Sequence, residues 1–184
     1  MRRWEVPGDI RFITFSCQRR LPLLGNPAIR DVFARSLDAA RRRHGFSLYA
    51  WVVMPEHVHL LVRPRSDQRL DAVLRGIKTS VAKRVVARWR ELHAPILREI
   101  TTRRGTVRFW QKGGGFDRNV RDGSEFCREV HYIHRNPVER ERVAQPQEWH
   151  WSSVRWWMGH KGGEVECDPP PGDPKSWGRW KGYL

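Results

Sequence analysis

His57 and His59 stand one residue apart in an apolar run, Tyr49-Ala50-Trp51-Val52-Val53-Met54-Pro55-Glu56-His57-Val58-His59-Leu60-Leu61-Val62. On a strand, positions i and i+2 leave the same face. Both imidazoles therefore share one face, while Val58, Leu60 and Val62 take the other. Two neighbouring imidazoles suit a metal ion better than an apolar core, although an HxH pair alone also fits packed, hydrogen-bonded sheet histidines. A second constellation lies between 123 and 136. There Phe126, Val130 and Ile133 form an apolar helical stripe, and Glu125, Glu129, Tyr132 and Asn136 stack on the far side by i+3 and i+4 spacing. A metal held by two imidazoles and an amide oxygen can polarise a phosphodiester, and a phenol one helical turn from that amide can attack phosphorus. A phenol of ordinary pKa, about 10, needs activation or an oriented phosphate to do so. Plainer readings stay open: a tyrosine at the margin of a buried face, and an asparagine that ends the helix before Pro137.

Other polar residues have weaker claims. Arg118 and Arg121 precede the helix and could clamp phosphates near its N-terminus, where the dipole favours anions. Arg75 and Lys78 could line a nucleic-acid path; for all four, a solvated charge is the alternative. Glu56 reads as a turn carboxylate, His131, His134 and His150 lack a paired spacing, and Cys127 fits the core.

The elements that must position these groups follow from local signals. Ile10 to Cys17 predicts a first strand. Asn26 as N-cap, Pro27 at the first helical position and Gly45 after Arg41-Arg42-Arg43-His44 bound a helix with the stripe Ile29, Val32, Phe33, Leu37, Ala40. Phe46 to Met54 and His57 to Arg63 predict a hairpin around Pro55-Glu56. A long helix runs from Leu70 to about Leu92, a fourth strand is expected at Thr106–Gln111, and a third helix from Gly123 to Arg135, stopped by Pro137. Strand, helix, two strands, helix, strand and a further helix make an α+β, ferredoxin-like βαββαβ antiparallel sheet with an added C-terminal helix. In that topology the first and third strands are central, so the histidines sit mid-sheet. Residues 1–155 are expected to form one domain and residues 156–184, rich in Trp and Pro, a docked or disordered tail.

Composition narrows the partner. The net charge is +15, and 29 of the 35 basic residues are Arg, the side chain that forks onto phosphate and stacks on bases. Ten tryptophans add stacking surface, so nucleic acid is the expected partner ahead of an acidic protein or a membrane. Three cysteines without CxxC spacing argue against disulfide and zinc-knuckle frameworks. No signal-peptide core or membrane span is evident, so a cytoplasmic location is expected.

Taken in order, Ile13-Thr14-Phe15, Trp51 to His59, Trp110-Gln111, Phe116-Asp117-Arg118, Arg121-Asp122, Tyr132-Ile133-His134-Arg135-Asn136-Pro137-Val138 and Trp151-Ser152-Ser153 resemble the REP-associated tyrosine transposases, within the single-tyrosine HUH nucleases. The resemblance spans roughly residues 10 to 155. It implies a ferredoxin-like enzyme that cuts single-stranded DNA at hairpin-forming palindromic repeats and leaves a 5′-phosphotyrosine with a free 3′-OH. It further implies Tyr132 as nucleophile and His57, His59 and Asn136 as ligands of Mg²⁺ or Mn²⁺. Arg75, Lys78, Trp110, Gln111, Arg118 and Arg121 are the expected DNA-contacting residues. A monomer is expected, with a helix-exchanged dimer as the variant. A catalytically silent nucleic-acid-binding protein and a rolling-circle-type replication initiator are the rival expectations. The glycine run Lys112-Gly113-Gly114-Gly115 departs from the family pattern.

Overall fold

The computed structural model describes residues 8–113 and 115–172. Strands β1 (Ile10–Ser16), β2 (Ser47–Val53), β3 (His57–Arg63) and β4 (Phe116–Val120) form one antiparallel sheet in the order β2-β3-β1-β4. β1 and β3 are central, as the βαββαβ order requires. Helices α1 (Pro27–His44) and α2 (Leu70–Glu91) pack together on one face, followed by the short α3 (Ile96–Ile100). α4 (Gly123–Glu139) covers the opposite face, and α5 (Val154–Trp157) follows it.

Strand alternation divides the core in two. Ile13, Phe15, Val58, Leu60 and Val62 meet Phe33, Leu37, Ile77 and Val81 on the α1/α2 side. Phe12, Val52 and Leu61 meet Phe126, Val130 and Ile133 on the α4 side. α1 is bounded as its sequence predicts: Asn26 Oδ1 accepts from Ala28 N–H at 2.9 Å, and Gly45 closes the helix in the left-handed region at φ 63°.

Two expectations need correction. The fourth strand is not Thr106–Gln111, a connecting segment that makes only isolated bridges, Val107 to Thr101 and Trp110 to Cys17. Phe109 stacks on Trp89 and Trp110 meets Phe15 edge-on, so these aromatics fill the α1/α2 core rather than extend the sheet. The edge of β1 is taken instead by Phe116–Val120, whose polar residues bind neighbours: Asp117 pairs with Arg11 at 2.8 Å and Asn119 donates to Asp9 at 2.7 Å. Nor does Pro137 stop α4, which continues to Glu139. Near a helix end the lost N–H removes a single bond, and Arg140 N–H still reaches Asn136 O at 3.0 Å.

β2 is an outer edge, and an uncovered edge invites pairing with another chain. The chain returns to cover it. Val53 N–H donates to Trp151 O, Ser153 N–H to Trp51 O, and Trp157 Nε1 to Tyr49 O. Asp168 N–H donates to Leu48 O at 2.7 Å while its carboxylate accepts from Leu48 N–H and pairs with Arg41. Trp177, Trp180 and Tyr183 lie outside the described residues. Among those described, no helix is long and apolar enough to cross a membrane.

Candidate active site

β3 delivers His57 and His59 to the α4 side, both almost fully buried, with ring centroids 4.7 Å apart. Each ring is held at Nδ1. His57 Nδ1 lies 2.8 Å from Glu56 Oε1, and His59 Nδ1 lies 2.7 Å from Oγ1 of Thr14, its partner across the β1–β3 register. Burial pushes both pKa values down, His59 to about 3; for His57 the neighbouring Glu56 carboxylate only partly offsets burial. Both imidazoles are thus neutral near pH 7. A carboxylate can only accept, so His57 carries its proton on Nδ1 and leaves a lone pair on Nε2.

α4 brings the second constellation to this pair. Asp122 caps the helix, accepting from Glu125 N–H at 2.8 Å, while the Glu125 carboxylate accepts from Arg121 N–H rather than closing a full capping box. The polar line is not on the far side of the helix, as spacing alone suggested. Glu129 and Asn136 are buried on the flank of the apolar stripe, turned to the sheet, while Glu125 is partly exposed and Tyr132, 38 % exposed, reaches the surface. The Tyr132 ring stands edge-on to His59, centroids 5.2 Å apart, and Phe12 stacks on His59 while also meeting Tyr132 edge-on, so the three rings form one cluster.

Asn136 Oδ1 faces His57 Nε2 at 3.2 Å, two acceptors with no proton between them, and His59 Nε2 is buried with no hydrogen-bond partner. Buried polar atoms left this way are costly unless a partner meets them, and with Thr14 Oγ1 accepting from His59 Nδ1–H that ring too presents an Nε2 lone pair to a cation. The residues therefore fit a divalent ion held by two imidazoles and an amide, each imidazole oriented from behind as metal-binding histidines usually are. Among the described residues no three His, Cys, Asp or Glu side chains gather as a metal-binding group; this set is of a different composition.

His57, His59 and Tyr132 open into a cleft of about 480 Å³ that Arg20, Arg118, Arg128 and Arg140 also line. The rim is basic, as an anionic substrate requires. Arg118 pairs with both Glu125 and Glu129. Arg121 is exposed nearby, outside the cleft lining. Gln111 accepts from Arg19 N–H at 2.9 Å and so braces the turn in which Arg19 and Arg20 both have positive φ, 51° and 53°. Trp110 is half-buried on the α1/α2 side, its Nε1 donating to Lys78 O. Arg75 and Lys78 line a separate groove of about 600 Å³ between α2 and the segment leading into β4. Sequence reasoning missed Thr14, Phe12, Arg20, Arg128 and Arg140, and set Glu56 aside. Of these, Thr14 and Glu56 stand inside the resembling blocks, and Arg128 lies one turn before Tyr132.

Residues 10–113 match the model of the "Transposase IS200 like" family. The chain belongs to this transposase family. It is 26% identical to the REP-associated tyrosine transposase of Escherichia coli, over 83% of this chain and 80% of that protein. It is 23% identical to a putative REP-associated tyrosine transposase of Haemophilus influenzae, covering 83% of each. A solved REP-associated tyrosine transposase bound to a REP hairpin superposes with a TM-score of 0.67 at 23% sequence identity, covering 91% of both chains. The α+β sheet of this IS200-like transposase is thus the fold of that neighbour.

Proposed function

We propose that the chain is a metal-dependent single-stranded DNA endonuclease and strand transferase whose nucleophile is Tyr132. The observation that carries this reading is the meeting, in one basic cleft, of an exposed phenol on α4 with two buried neutral imidazoles on β3, the Asn136 amide lying buried against the first of them. The Tyr132 oxygen attacks phosphorus and bonds to it, and the bond to the 3′ oxygen breaks. The products are a 5′-phosphotyrosine and a free 3′-OH. The phosphotyrosine keeps the energy of the broken diester, so a 3′-OH can reverse the step and join strands. Glu56 and Thr14 hold the imidazoles in register, and the arginines of the rim fix the phosphate in line with the phenol. Mg²⁺ or Mn²⁺ held by His57, His59 and Asn136 would supply charge stabilisation at the scissile phosphate. The expected substrate is a hairpin-forming palindromic repeat, supported by the REP association of the two relatives and the hairpin bound by the structural neighbour. Arg118 and Arg121 are the proposed phosphate contacts beside α4.

The test is incubation with hairpin-bearing single-stranded DNA and Mg²⁺ or Mn²⁺, followed by denaturing electrophoresis. A covalent protein–DNA adduct is expected, and it should vanish in Tyr132→Phe. An adduct that survives in that variant would move the nucleophile to Tyr49 or Tyr183. Hairpins bound but never cut would favour a silent DNA-binding protein.

A further inference from the structure

Phe116 is 57 % exposed, unusual for an aromatic residue beside an active-site cleft. It is the first residue of β4, paired with Thr14, and these two side chains line both the His57/His59/Tyr132 cleft and the groove beside α2. The ring is braced from beneath by an edge-on contact to Phe12, which itself stacks on His59 and meets Tyr132 edge-on. The second groove carries Arg75, Lys78, Lys83 and Arg108 against Asp71 and Asp117. Asp117 is engaged by Arg11, and Asp71 by Arg69 and Arg75, so the groove stays basic through its remaining cations.

The glycine run that departs from the family pattern explains how Phe116 comes to stand there. A Cβ on Gly115 would lie 1.4 Å from Thr14 O, so only glycine lets the backbone lie flat on β1 at that point. That close approach sets Phe116 on the ridge between the two grooves.

We propose that the grooves form one path for a single DNA strand, with a base stacked on Phe116 as the strand crosses from the cleft to the α2 groove. An exposed, braced aromatic between two basic troughs is the arrangement that binds single strands: cations follow the backbone and the ring takes a base irrespective of sequence. A duplex has no unstacked base to offer and gains nothing from the ring. The proposal rests on the single-stranded DNA reading above and adds a site for the strand beyond the scissile phosphate.

The experiment measures binding apart from cleavage. Fluorescein-labelled DNA hairpins carrying flanks of zero to twelve nucleotides, in separate 5′ and 3′ series, are titrated with the full-length Tyr132→Phe chain. Affinity is expected to rise with the length of one flank. Adding Phe116→Ala should remove that rise, a loss on the order of tenfold for long flanks, and leave the hairpin without a flank bound as before. Phe116→Leu, which keeps the packing on Phe12, should behave like alanine, and Phe116→Trp should keep the rise. Lys83→Ala and Arg108→Ala should weaken only the long-flank complexes and flatten their salt dependence. Equal affinities for Phe116→Ala and its parent at every flank length would overturn the proposal, as would a loss equally large without a flank. The cleavage reading fails separately, if the chain with Tyr132 intact forms no adduct while the dependence on flank and Phe116 persists.

Discussion

On the α1/α2 side of the sheet, Phe33, Leu37, Ile77 and Val81 close over Ile13, Phe15 and Leu60, an apolar contact of ordinary core type. On the α4 side, the alternate positions of the same two strands carry Thr14, His57 and His59, and the helix lays Glu129 and Asn136 beside them. Burying such groups costs stability unless each finds a partner. The first face can therefore bear the stability of the fold while the second gives some up to hold a site. The two histidines proposed as ligands stand on a rigid central strand, where little can move them out of register.

Substitutions that separate the two faces give the largest expected effects. His57→Ala and His59→Ala should each lower cleavage by about a thousandfold or more, the scale of losing several kcal/mol of charge stabilisation at the phosphate. DNA binding and the melting temperature should change little by comparison. Cleavage persisting in both variants would erase the distinction between the faces. Phe33→Ala should act in the opposite way. A fully buried ring removed from the α1/α2 core costs about 3–5 kcal/mol of stability, read by denaturant unfolding. The fraction that stays folded should cleave at the parental rate, and a slower rate per folded molecule would show that the faces are coupled.

A smaller effect is expected behind the imidazoles. Glu56→Gln and Thr14→Val change the groups that hold Nδ1 of His57 and His59 from behind. Such supporting partners are typically worth about 10- to 100-fold in metal affinity. The divalent-ion concentration for half-maximal cleavage should rise accordingly, with saturated activity mostly recovered. Unchanged ion dependence would mean that the rings are held by packing alone.

How far the sequence reveals this division depends on the range of each signal. The HxH pair and its face follow from strand alternation, and Tyr132 and Asn136 from helical spacing, because both periods are local. Thr14 as the support of His59 depends on a register between β1 and β3, which lie some forty residues apart in the chain, and no local pattern encodes that pairing. β4 is illegible for a related reason. As an edge strand it uses Asp117 and Asn119 to bind Arg11 and Asp9, so it lacks the apolar run by which a strand is recognised. Thr106–Gln111 has that run, but its aromatics serve the α1/α2 core. Pro137 misleads because its missing N–H and the crowding of its ring against the carbonyl four residues back disrupt a helix that must run on, whereas α4 has only two residues left to add after it.

The smallest effect concerns His134, on the α4 side but away from the cleft. It is completely buried, and its Nε2 lies 2.8 Å from Ser153 Oγ, the hydroxyl that also accepts from Trp51 N–H. Burial pushes its pKa to about 3 from the usual 6.5. Above pH 6.5 neither the folded nor the unfolded chain protonates this ring, so it leaves stability independent of pH. As pH falls from 6.5 towards 3, the unfolded chain takes up a proton that the folded chain refuses. Stability then drops with each step down and levels off, for this group, below about 3. His134→Gln, which cannot titrate, should therefore have a shallower decline in denaturant midpoint between pH 6.5 and 4 than the parent, whatever its stability at neutral pH. Parallel curves would mean that His134 protonates in the folded state with its usual pKa. The burial of polar groups on this face would then cost less than the comparison with the α1/α2 side implies.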